Sequence, residues 1–161
     1  MNILFVCSGN TCRSPLAAAL VRHKVACLTP VSRSASRASN IQVKSAGTAA
    51  GTGYPMSFAM EIILQEQNID STHQSQRLNR DLLDWADLIL TMTRPQKILL
   101  VARISNSAPK LFTLNEYIGN TTQPDIDDPY DTDLESYRQC ATKIEIACDL
   151  LLAKIHPSPP N

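Results

Sequence analysis

The stretch CSGNTCRS at residues 7–14 combines reactive and anion-binding residue types within eight positions. Cys7 carries a thiol, and a thiolate is a strong nucleophile toward phosphorus. Gly9 and Asn10 tolerate left-handed backbone, which lets successive amide N–H groups curl into a concave nest for an anion. Arg13 adds a planar guanidinium that binds two oxyanion oxygens at once. The spacing predicts a phosphate-binding loop with a cysteine nucleophile at its mouth.

The surroundings of Cys7 are expected to favour its thiolate. A nest of amides, the N-terminus of the helix that follows and the guanidinium of Arg13 all attract negative charge. We therefore expect the pKa of the Cys7 thiol to lie below the ordinary value of about 8.5. Ser14 is placed to donate a hydrogen bond to the sulfur and to assist its departure in a later step.

Other roles for this loop compete with phosphate binding. The stretch lacks the Gly-Lys-Ser/Thr of a nucleotide-binding Walker loop. Cys7 and Cys12 have no second cysteine pair or suitably placed histidine to complete a zinc site. A structural disulfide is disfavoured, because five cysteines are an odd number and a chain of 161 residues folds without cross-links. A pair of buried, unreactive cysteines stays open as an alternative on these residues alone.

The segment PDIDDPYDTD at residues 124–133 offers acids for such a site. Departure of a leaving group from phosphorus needs a proton donor. Asp128 precedes a proline, which favours extended backbone, and it is our candidate general acid, with Tyr130 beside it in the pocket. The alternative is a solvated loop whose carboxylates cap the final helix. We prefer this second interpretation for Asp131 and Asp133.

Short apolar runs alternate with helical segments along the chain. The predicted strands lie at residues 2–6, 41–47, 87–92 and 110–114, and the predicted helices at 14–28, 55–67, 79–86, 94–104 and 133–155. This alternation predicts an α/β fold, a three-layer sandwich in which a four-stranded parallel sheet has helices on both faces. Ligands of such sheets bind at the carboxyl ends of the strands, where the loop after the first strand lies.

Particular residues are expected to start or to fill these helices. Ser14 is a candidate N-cap of the first helix, with Pro15 at its first position, and Pro55 is expected to begin the second helix. The final helix has apolar residues at helical spacing. These are Ile144, Ala147, Cys148, Leu151, Leu152 and Ile155.

The composition indicates a globular chain without an extended charged surface. Residues 1–161 are expected to form one domain, with an exposed Ser/Arg-rich loop at 29–40 and a flexible tail at 156–161. The 15 basic and 15 acidic side chains balance, which argues against nucleic acid or an anionic membrane as a partner. No apolar stretch approaches the ~20 residues of a membrane span, and the start lacks the basic region of a signal peptide. The cysteine usage indicates a reducing, cytoplasmic setting.

Several motifs together resemble one family, the low-molecular-weight protein tyrosine phosphatases, over about residues 2–155. DPY at 128–130 matches the acid loop of that family, and SAGT at 45–48 matches a segment whose serine, Ser45, supports the phosphate loop. His73 falls where the family has a histidine that hydrogen-bonds this serine and the loop asparagine, here Asn10. The other matching stretches are VCSGNTCRSPLA at 6–17, ADLILTMTRPQK at 86–97 and LFTLNEYIG at 111–119.

The resemblance implies a two-step hydrolysis that needs no metal and no cofactor. Cys7 attacks phosphorus while Asp128 protonates the leaving atom, and Asp128 then activates the water that releases phosphate from the cysteinyl-phosphate. Arg13 and the loop amides bind the equatorial oxygens. Family members also join the second loop cysteine, here Cys12, to the nucleophile in a reversible disulfide that protects it from over-oxidation. The implied phosphate-binding residues are Ser8, Gly9, Asn10, Thr11, Cys12, Arg13 and Ser14.

The residue at position 11 separates two substrate classes within this family. Many of its phosphotyrosine phosphatases have an aliphatic residue there, whereas a branch resembling protein-arginine phosphatases has threonine, as here. An aliphatic side chain desolvates a guanidinium without replacing its hydrogen bonds, whereas a threonine hydroxyl accepts one. With Thr11 and Tyr130 lining the expected pocket, phosphoarginine in proteins is the favoured substrate and phosphotyrosine is the alternative.

Charge and cysteine positions bear on the remaining alternatives. Carboxylates at positions 125, 127, 128, 131 and 133 favour a cation-rich substrate. Arsenate reduction in this family relays oxidation through cysteines of a mobile mid-chain segment, and this chain has no cysteine between residues 28 and 139. A non-catalytic phosphoprotein-binding module would lack the nucleophile, the guanidinium or the acid, and Cys7, Arg13 and Asp128 are all present.

Overall fold

A four-stranded parallel sheet lies at the centre of the fold, in a computed structural model that describes residues 1–28, 41–101 and 110–155. Its strands are β1 (Asn2–Cys7), β2 (Gln42–Gly47), β3 (Leu88–Thr91) and β4 (Leu111–Thr113), in the spatial order β2-β1-β3-β4. Each neighbouring pair is parallel, so the carboxyl ends of all strands share one edge of the sheet. Cys7, the last residue of β1, pairs with Gly47 at this edge.

Helices cover both faces of the sheet. The described residues form α1 (Arg13–Leu28), α2 (Phe58–Glu66), α3 (Arg80–Trp85), α4 (Arg94–Val101), α5 (Leu114–Tyr117) and α6 (Leu134–Ile155). Successive side chains of a strand point to opposite faces. Ile3 and Phe5 therefore pack in one core with α1, α2 and α6, whereas Leu4 and Val6 pack in a second core with α3 and α4. The expected three-layer α/β sandwich is confirmed.

The predicted helices are present, with shifts at their ends. α2 begins at Phe58 rather than at Pro55, because Ser57 has the extended backbone of an N-cap (φ −60°, ψ 140°). α1 begins at Arg13, so Ser14 lies inside the helix and is not its N-cap, and Pro15 is not its first residue. No helix in the described ranges has both the length and the apolarity that crossing a bilayer requires.

One short helix, α5, was not predicted from the sequence. It starts with a capping box in which Thr113 Oγ1 accepts from Glu116 N at 3.1 Å and Glu116 Oε2 accepts from Thr113 N at 3.0 Å. The helix is too short for an apolar repeat, although the T-x-x-E pattern at 113–116 was a usable signal. The predicted loop at 29–40, the tail at 156–161 and the last residues of the helix predicted at 94–104 lie outside the described residues.

The end of β2 packs directly against the loop that follows β1. A Cβ atom on Gly47 would lie 2.5 Å from Ser8 O and 3.0 Å from Asn10 N, so only glycine permits this approach. Gly47 also exchanges backbone hydrogen bonds with the segment after α2, from its N to Gln76 O at 3.0 Å and to its O from Leu78 N at 2.9 Å. β2 and this segment form the outer wall of the loop.

Candidate active site

The loop between β1 and α1 forms a small cavity at the carboxyl edge of the sheet. Cys7 at the end of β1 is 2% exposed, and Arg13 at the start of α1 is 3% exposed. The cavity measures about 100 Å³. Its lining residues are Cys7, Gly9, Asn10, Thr11, Cys12, Arg13, Asp128 and Tyr130. The structure therefore brings the candidate nucleophile, guanidinium, acid and pocket residues to one place, although Asp128 and Tyr130 are far from the loop in sequence.

Asn10 produces the turn of the loop. Its φ is 54°, in the left-handed region, whereas Gly9 has no positive φ, so the expectation of left-handed backbone at Gly9 is wrong. The side chain of Asn10 is held at both ends. Its Nδ2 donates to Ser14 Oγ at 2.9 Å and to Ser45 Oγ at 3.0 Å, and its Oδ1 accepts from Gln76 N at 2.9 Å. Ser45 thus contacts the loop through Asn10.

Carbonyl groups of the loop are held from outside by donors of other segments. The pairs are Thr48 N to Cys7 O (2.9 Å), Ala49 N to Ser8 O (3.0 Å), Ser57 N to Thr11 O (2.8 Å) and His73 Nε2 to Asn10 O (2.7 Å). A planar trans peptide points its N–H away from its C=O. The amides that follow these carbonyls, at residues 8, 9, 11 and 12, therefore point to the inside of the loop, which is the geometry of an anion-binding nest.

Most of these outer donors were missed by sequence reasoning. Thr48, Ala49 and Ser57 act through backbone amides, which leave no signature in residue type. His73 donates to Asn10 O, but the described residues contain no hydrogen bond between His73 and Ser45. Burial lowers the pKa of His73, its bond to Asn10 O raises it, and the charge of Arg22 lowers it. The net lowering keeps the ring neutral near pH 7, with its proton on Nε2.

The sulfur of Cys7 accepts hydrogen bonds from two neighbours. Ser14 Oγ lies 2.9 Å and Asn10 N 3.2 Å from Cys7 Sγ. Ser14 Oγ accepts from Asn10 Nδ2, and its one proton faces two acceptors, the sulfur at 2.9 Å and, at the longer distance of 3.4 Å, Ala46 O. Burial raises the pKa of the Cys7 thiol, against the lowering by Ser14, Arg13 and Asn10. The expected lowering is therefore wrong, because it considered the charges around the sulfur but not its loss of water.

The guanidinium of Arg13 connects the loop to the segment at residues 124–133, which contains Asp128. Its Nη1 donates to Ile126 O at 2.9 Å, and its Nη2 forms an ion pair with Asp128. Its Nε is buried and has no hydrogen-bond partner among the described residues. A buried donor without a hydrogen-bond partner costs free energy. Nε is therefore a group of Arg13 that can donate to an anion entering the cavity.

Asp128 reaches the cavity from the segment after α5. One of its carboxylate oxygens contacts Arg13, the other accepts from Tyr130 N at 3.2 Å, and the side chain is 45% exposed. Tyr130 is 75% exposed at the cavity mouth. Asp133 caps α6 by accepting from Ser136 N at 2.8 Å. Asp131 has a left-handed φ of 61° and makes no capping bond in the described chain, so the capping expected of it is wrong.

Cys12 forms part of the cavity wall next to the nucleophile. Its sulfur lies 3.8 Å from Thr11 Oγ1. Tyr137 of α6 lies beside Cys12, and burial together with the influence of Cys12 raises the pKa of Tyr137 to about 12. All five cysteines of the chain are free thiols.

Known proteins resemble the chain over most of its length. The family model described as low molecular weight phosphotyrosine protein phosphatase matches residues 2–159. A protein-arginine-phosphatase of Geobacillus stearothermophilus is 37% identical over 153 residues, which cover 95% of each chain. The low molecular weight protein-tyrosine-phosphatase PtpB of Staphylococcus epidermidis is 38% identical over 144 residues, which cover 89% of this chain and 91% of the relative.

Solved structures of phosphatases also resemble the fold of this chain over most of its length. The YwlE arginine phosphatase from Geobacillus stearothermophilus has a TM-score of 0.84 at 37% identity, over 96% of this chain and 92% of its own. A low molecular weight protein tyrosine phosphatase from T. tengcongensis also has a TM-score of 0.84, at 35% identity, over 96% of this chain and 99% of its own.

Proposed function

Since the chain belongs to the low molecular weight phosphotyrosine protein phosphatase family and is a cysteine-dependent protein phosphatase, we propose that it hydrolyses phosphoarginine in proteins. Thr11 carries this proposal, because it lines the cavity beside Cys7. A guanidinium N–H that leaves water needs an acceptor, which a threonine hydroxyl supplies and an aliphatic side chain does not. Relatives from Geobacillus stearothermophilus and Bacillus subtilis, both named protein-arginine-phosphatases, support this choice.

Before the first proposed step, the Cys7 thiol gives up its proton and the Asp128 carboxylate, displaced from Arg13 by the entering phosphoryl group, takes one up from water, so that the site holds the same number of protons. The Cys7 thiolate then attacks phosphorus. A sulfur–phosphorus bond forms, the phosphorus–nitrogen bond breaks, and Asp128 gives its proton to the departing guanidine nitrogen. Arg13 and the inward amides of the loop bind the equatorial oxygens throughout the transfer. Asp128 pairs with Arg13 in the structure, so we expect the entering phosphoryl group to replace this carboxylate on the guanidinium and free it to act as the acid.

In the second proposed step, water attacks the cysteinyl-phosphate. Asp128, now a carboxylate, takes a proton from the water as the new oxygen–phosphorus bond forms and the sulfur–phosphorus bond breaks. The Ser14 hydroxyl, 2.9 Å from Cys7 Sγ, stabilises the departing thiolate. The products are inorganic phosphate and the free Cys7 thiolate, so the steps use only groups of the chain, the substrate and water.

Phosphotyrosine is the second candidate substrate. The ring of Tyr130 is exposed at the cavity mouth, where it is placed to stack against the phenyl ring of a phosphotyrosine. The similarity to PtpB of Staphylococcus epidermidis, which is named a protein-tyrosine-phosphatase, favours this substrate as well.

The carboxylates of residues 124–133 favour phosphoarginine over phosphotyrosine less strongly than their number in the sequence suggested. Three of the five bind within the chain: Asp125 accepts from Arg94 N, Asp128 pairs with Arg13, and Asp133 caps α6. Asp127 also faces a cation of the chain, because Lys143 Nζ lies 3.8 Å from its Oδ2. Thr11 is therefore the stronger support for phosphoarginine.

Kinetics on one peptide sequence that carries either phosphoarginine or phosphotyrosine test the proposal. We expect a higher kcat/KM for the phosphoarginine peptide. Thr11→Ile should lower the phosphoarginine-to-phosphotyrosine ratio by about tenfold or more, because a buried donor without an acceptor costs about 1–3 kcal/mol. Thr11→Ser keeps the hydroxyl and should keep the ratio. An unchanged ratio in Thr11→Ile would contradict the proposal, and no turnover of either peptide would favour a phosphoprotein-binding module.

We also propose that residues 1–161 form one domain that acts on phosphorylated proteins in the reducing cytoplasm. The five cysteines support this setting, because the mechanism requires the nucleophile as a free thiol and an oxidising compartment would cross-link it.

A further inference from the structure

Two cavities outside the phosphate loop lie along one face of α6. The near cavity measures about 220 Å³ and has Asp128 among its lining residues, whereas the far cavity measures about 660 Å³. The residues that α6 contributes to these two cavities are three or four positions apart, so they form one stripe along the helix. They include Gln139, Lys143, Ile146 and Leu150.

Neighbouring cavities share residues, so they follow one another across the surface. Asp128 lines both the cavity of the phosphate loop and the near cavity. Asp127 and Lys143 line both the near and the far cavity. Their side chains approach each other at 3.8 Å and are 91% and 62% exposed, so this ion pair is weak and easily separated. The near and far cavities therefore form one groove, the α6 groove, which starts at Asp128 and runs to Leu150.

The far end of the α6 groove exposes apolar surface. Ile146 is 56% exposed and Leu150 is 49% exposed, and Ile118 and Pro124 line the same cavity as half-buried residues. Covering these side chains with an apolar group of a ligand is favourable. Two exposed aliphatic side chains are far less surface than the ~800 Å² that each partner of a stable dimer buries. The groove therefore fits a narrow ligand better than a second folded chain.

The proposed reaction places the rest of the substrate at the start of the α6 groove. The leaving nitrogen must lie at Asp128, which gives it a proton. The arginine side chain and the backbone that carries it therefore lie on the side of Asp128 away from phosphorus. Because the near cavity also begins at Asp128, residues that flank the phosphoarginine have the groove beside them.

We propose that the α6 groove binds an extended segment of the substrate protein and that its far end takes an apolar side chain of that segment. The inference rests on the proposed function, which places a phosphorylated residue of a protein at Asp128. The polypeptide backbone would follow the stripe of α6, and an aliphatic side chain would cover Ile146 and Leu150. The groove thus selects among phosphorylated proteins by the residues around the phosphorylated position.

The length of the α6 groove sets the position of this apolar side chain. Cys140 Sγ lies 3.6 Å from Asp127 O, so the start of the groove is level with Cys140 on the helix. At about 1.5 Å per residue, Ile146 lies about 9 Å and Leu150 about 15 Å farther along α6. An extended chain covers about 3.3 Å per residue, so the apolar side chain is expected about three to five residues from the phosphoarginine.

Two phosphoarginine peptides that differ in their flanking residues test the α6 groove. One peptide has leucine at the third, fourth and fifth positions on both sides of the phosphoarginine, and the other has serine there. We expect kcat/KM to be about tenfold higher for the leucine peptide, because a leucine side chain leaves water when it covers the groove. The same pair of peptides with phosphotyrosine should show the same preference.

The double variant Ile146→Ser/Leu150→Ser removes the apolar end of the α6 groove and leaves the phosphate loop intact. Its kcat/KM ratio for leucine over serine peptides should fall to near one. Turnover of p-nitrophenyl phosphate, which is too small to reach the groove, should equal that of the wild type. Ile98→Ser/Val101→Ser is the matched control, because it removes two exposed aliphatic side chains from α4 and should keep the preference for leucine.

A wild type without a preference for leucine, or a preference that survives in Ile146→Ser/Leu150→Ser, would overturn this role of the α6 groove. A wild-type dimer that dissociates in the double variant, measured by analytical ultracentrifugation, would assign the surface to a second copy of the chain instead. The proposed function fails separately. No turnover of phosphoarginine, with the preference for leucine kept on the phosphotyrosine pair, would refute the proposed substrate and leave the groove supported.

Discussion

At the scale of single residues, the reactivity of Cys7 depends on a balance between burial and hydrogen bonding. Burial raises the pKa of the thiol, and Ser14, Arg13 and Asn10 act against it. Ser14 is the largest of these opposing influences and lies 2.9 Å from the sulfur. The sequence suggested two roles for this hydroxyl, a helix cap and a hydrogen bond to the sulfur, and the structure has the contact with the sulfur but not the cap.

Ser14→Ala is expected to raise the pKa of Cys7 further. The thiolate loses a hydrogen bond that the neutral thiol needs less, so a higher pH is required to form it. Alkylation by iodoacetamide, whose rate follows the thiolate fraction, should therefore have a midpoint at higher pH than in the wild type. Ser71→Ala, which removes a hydroxyl away from the sulfur, should match the wild type. A lower midpoint in Ser14→Ala would show that this hydroxyl does not stabilise the thiolate.

Asp128→Asn is expected to lower kcat on the peptide substrates by about 10²–10⁴-fold, the usual effect of losing a general acid. The amide keeps the size of the side chain and an oxygen for Arg13, but it has no proton to give. Asp127→Ala is the matched control, because its side chain is 91% exposed and only approaches Lys143, at 3.8 Å. If Asp127→Ala carries the loss and Asp128→Asn does not, the acid is the neighbouring residue.

At the scale of the elements, the phosphate loop is shaped by the segments that surround it. The amides of Thr48, Ala49 and Ser57 and the ring of His73 hold its carbonyls outward. Three of these donors belong to the connection between β2 and α2, so the end of β2 determines where the loop can lie. Gly47 is the point of closest approach.

Gly47→Ala is expected to destabilise the fold by about 1–3 kcal/mol, the usual cost of overpacking. The new methyl would lie 2.5 Å from Ser8 O and 2.7 Å from the Cβ of Ala50, so backbone must move and kcat/KM should fall with stability. Gly9→Ala is the control for stability, because its Cβ would meet Thr11 Oγ1 at an ordinary 3.6 Å. Urea unfolding measures both variants. Equal free energies of unfolding would contradict the close contact at Gly47.

At the scale of the whole molecule, the features that could be predicted from the sequence are those formed by contiguous residues. β1, β3 and β4 are mainly buried apolar runs, and Cys7 and Arg13 belong to one short motif, so most of the sheet and the loop could be predicted from the sequence. The contacts that Gln96 and Ser57 make with the loop could not, because these residues reach it from distant segments. The raised pKa of Cys7 was missed for the same reason, since burial is produced by the packing of the whole chain.

The covalent role of Cys7 is tested most directly by mass spectrometry of enzyme denatured during turnover of a phosphopeptide. We expect one phosphoryl group on the peptide that contains Cys7, and neither a phosphoenzyme nor turnover in Cys7→Ala. Phosphate bound to another residue, or continued turnover by Cys7→Ala, would contradict a cysteinyl-phosphate at this position.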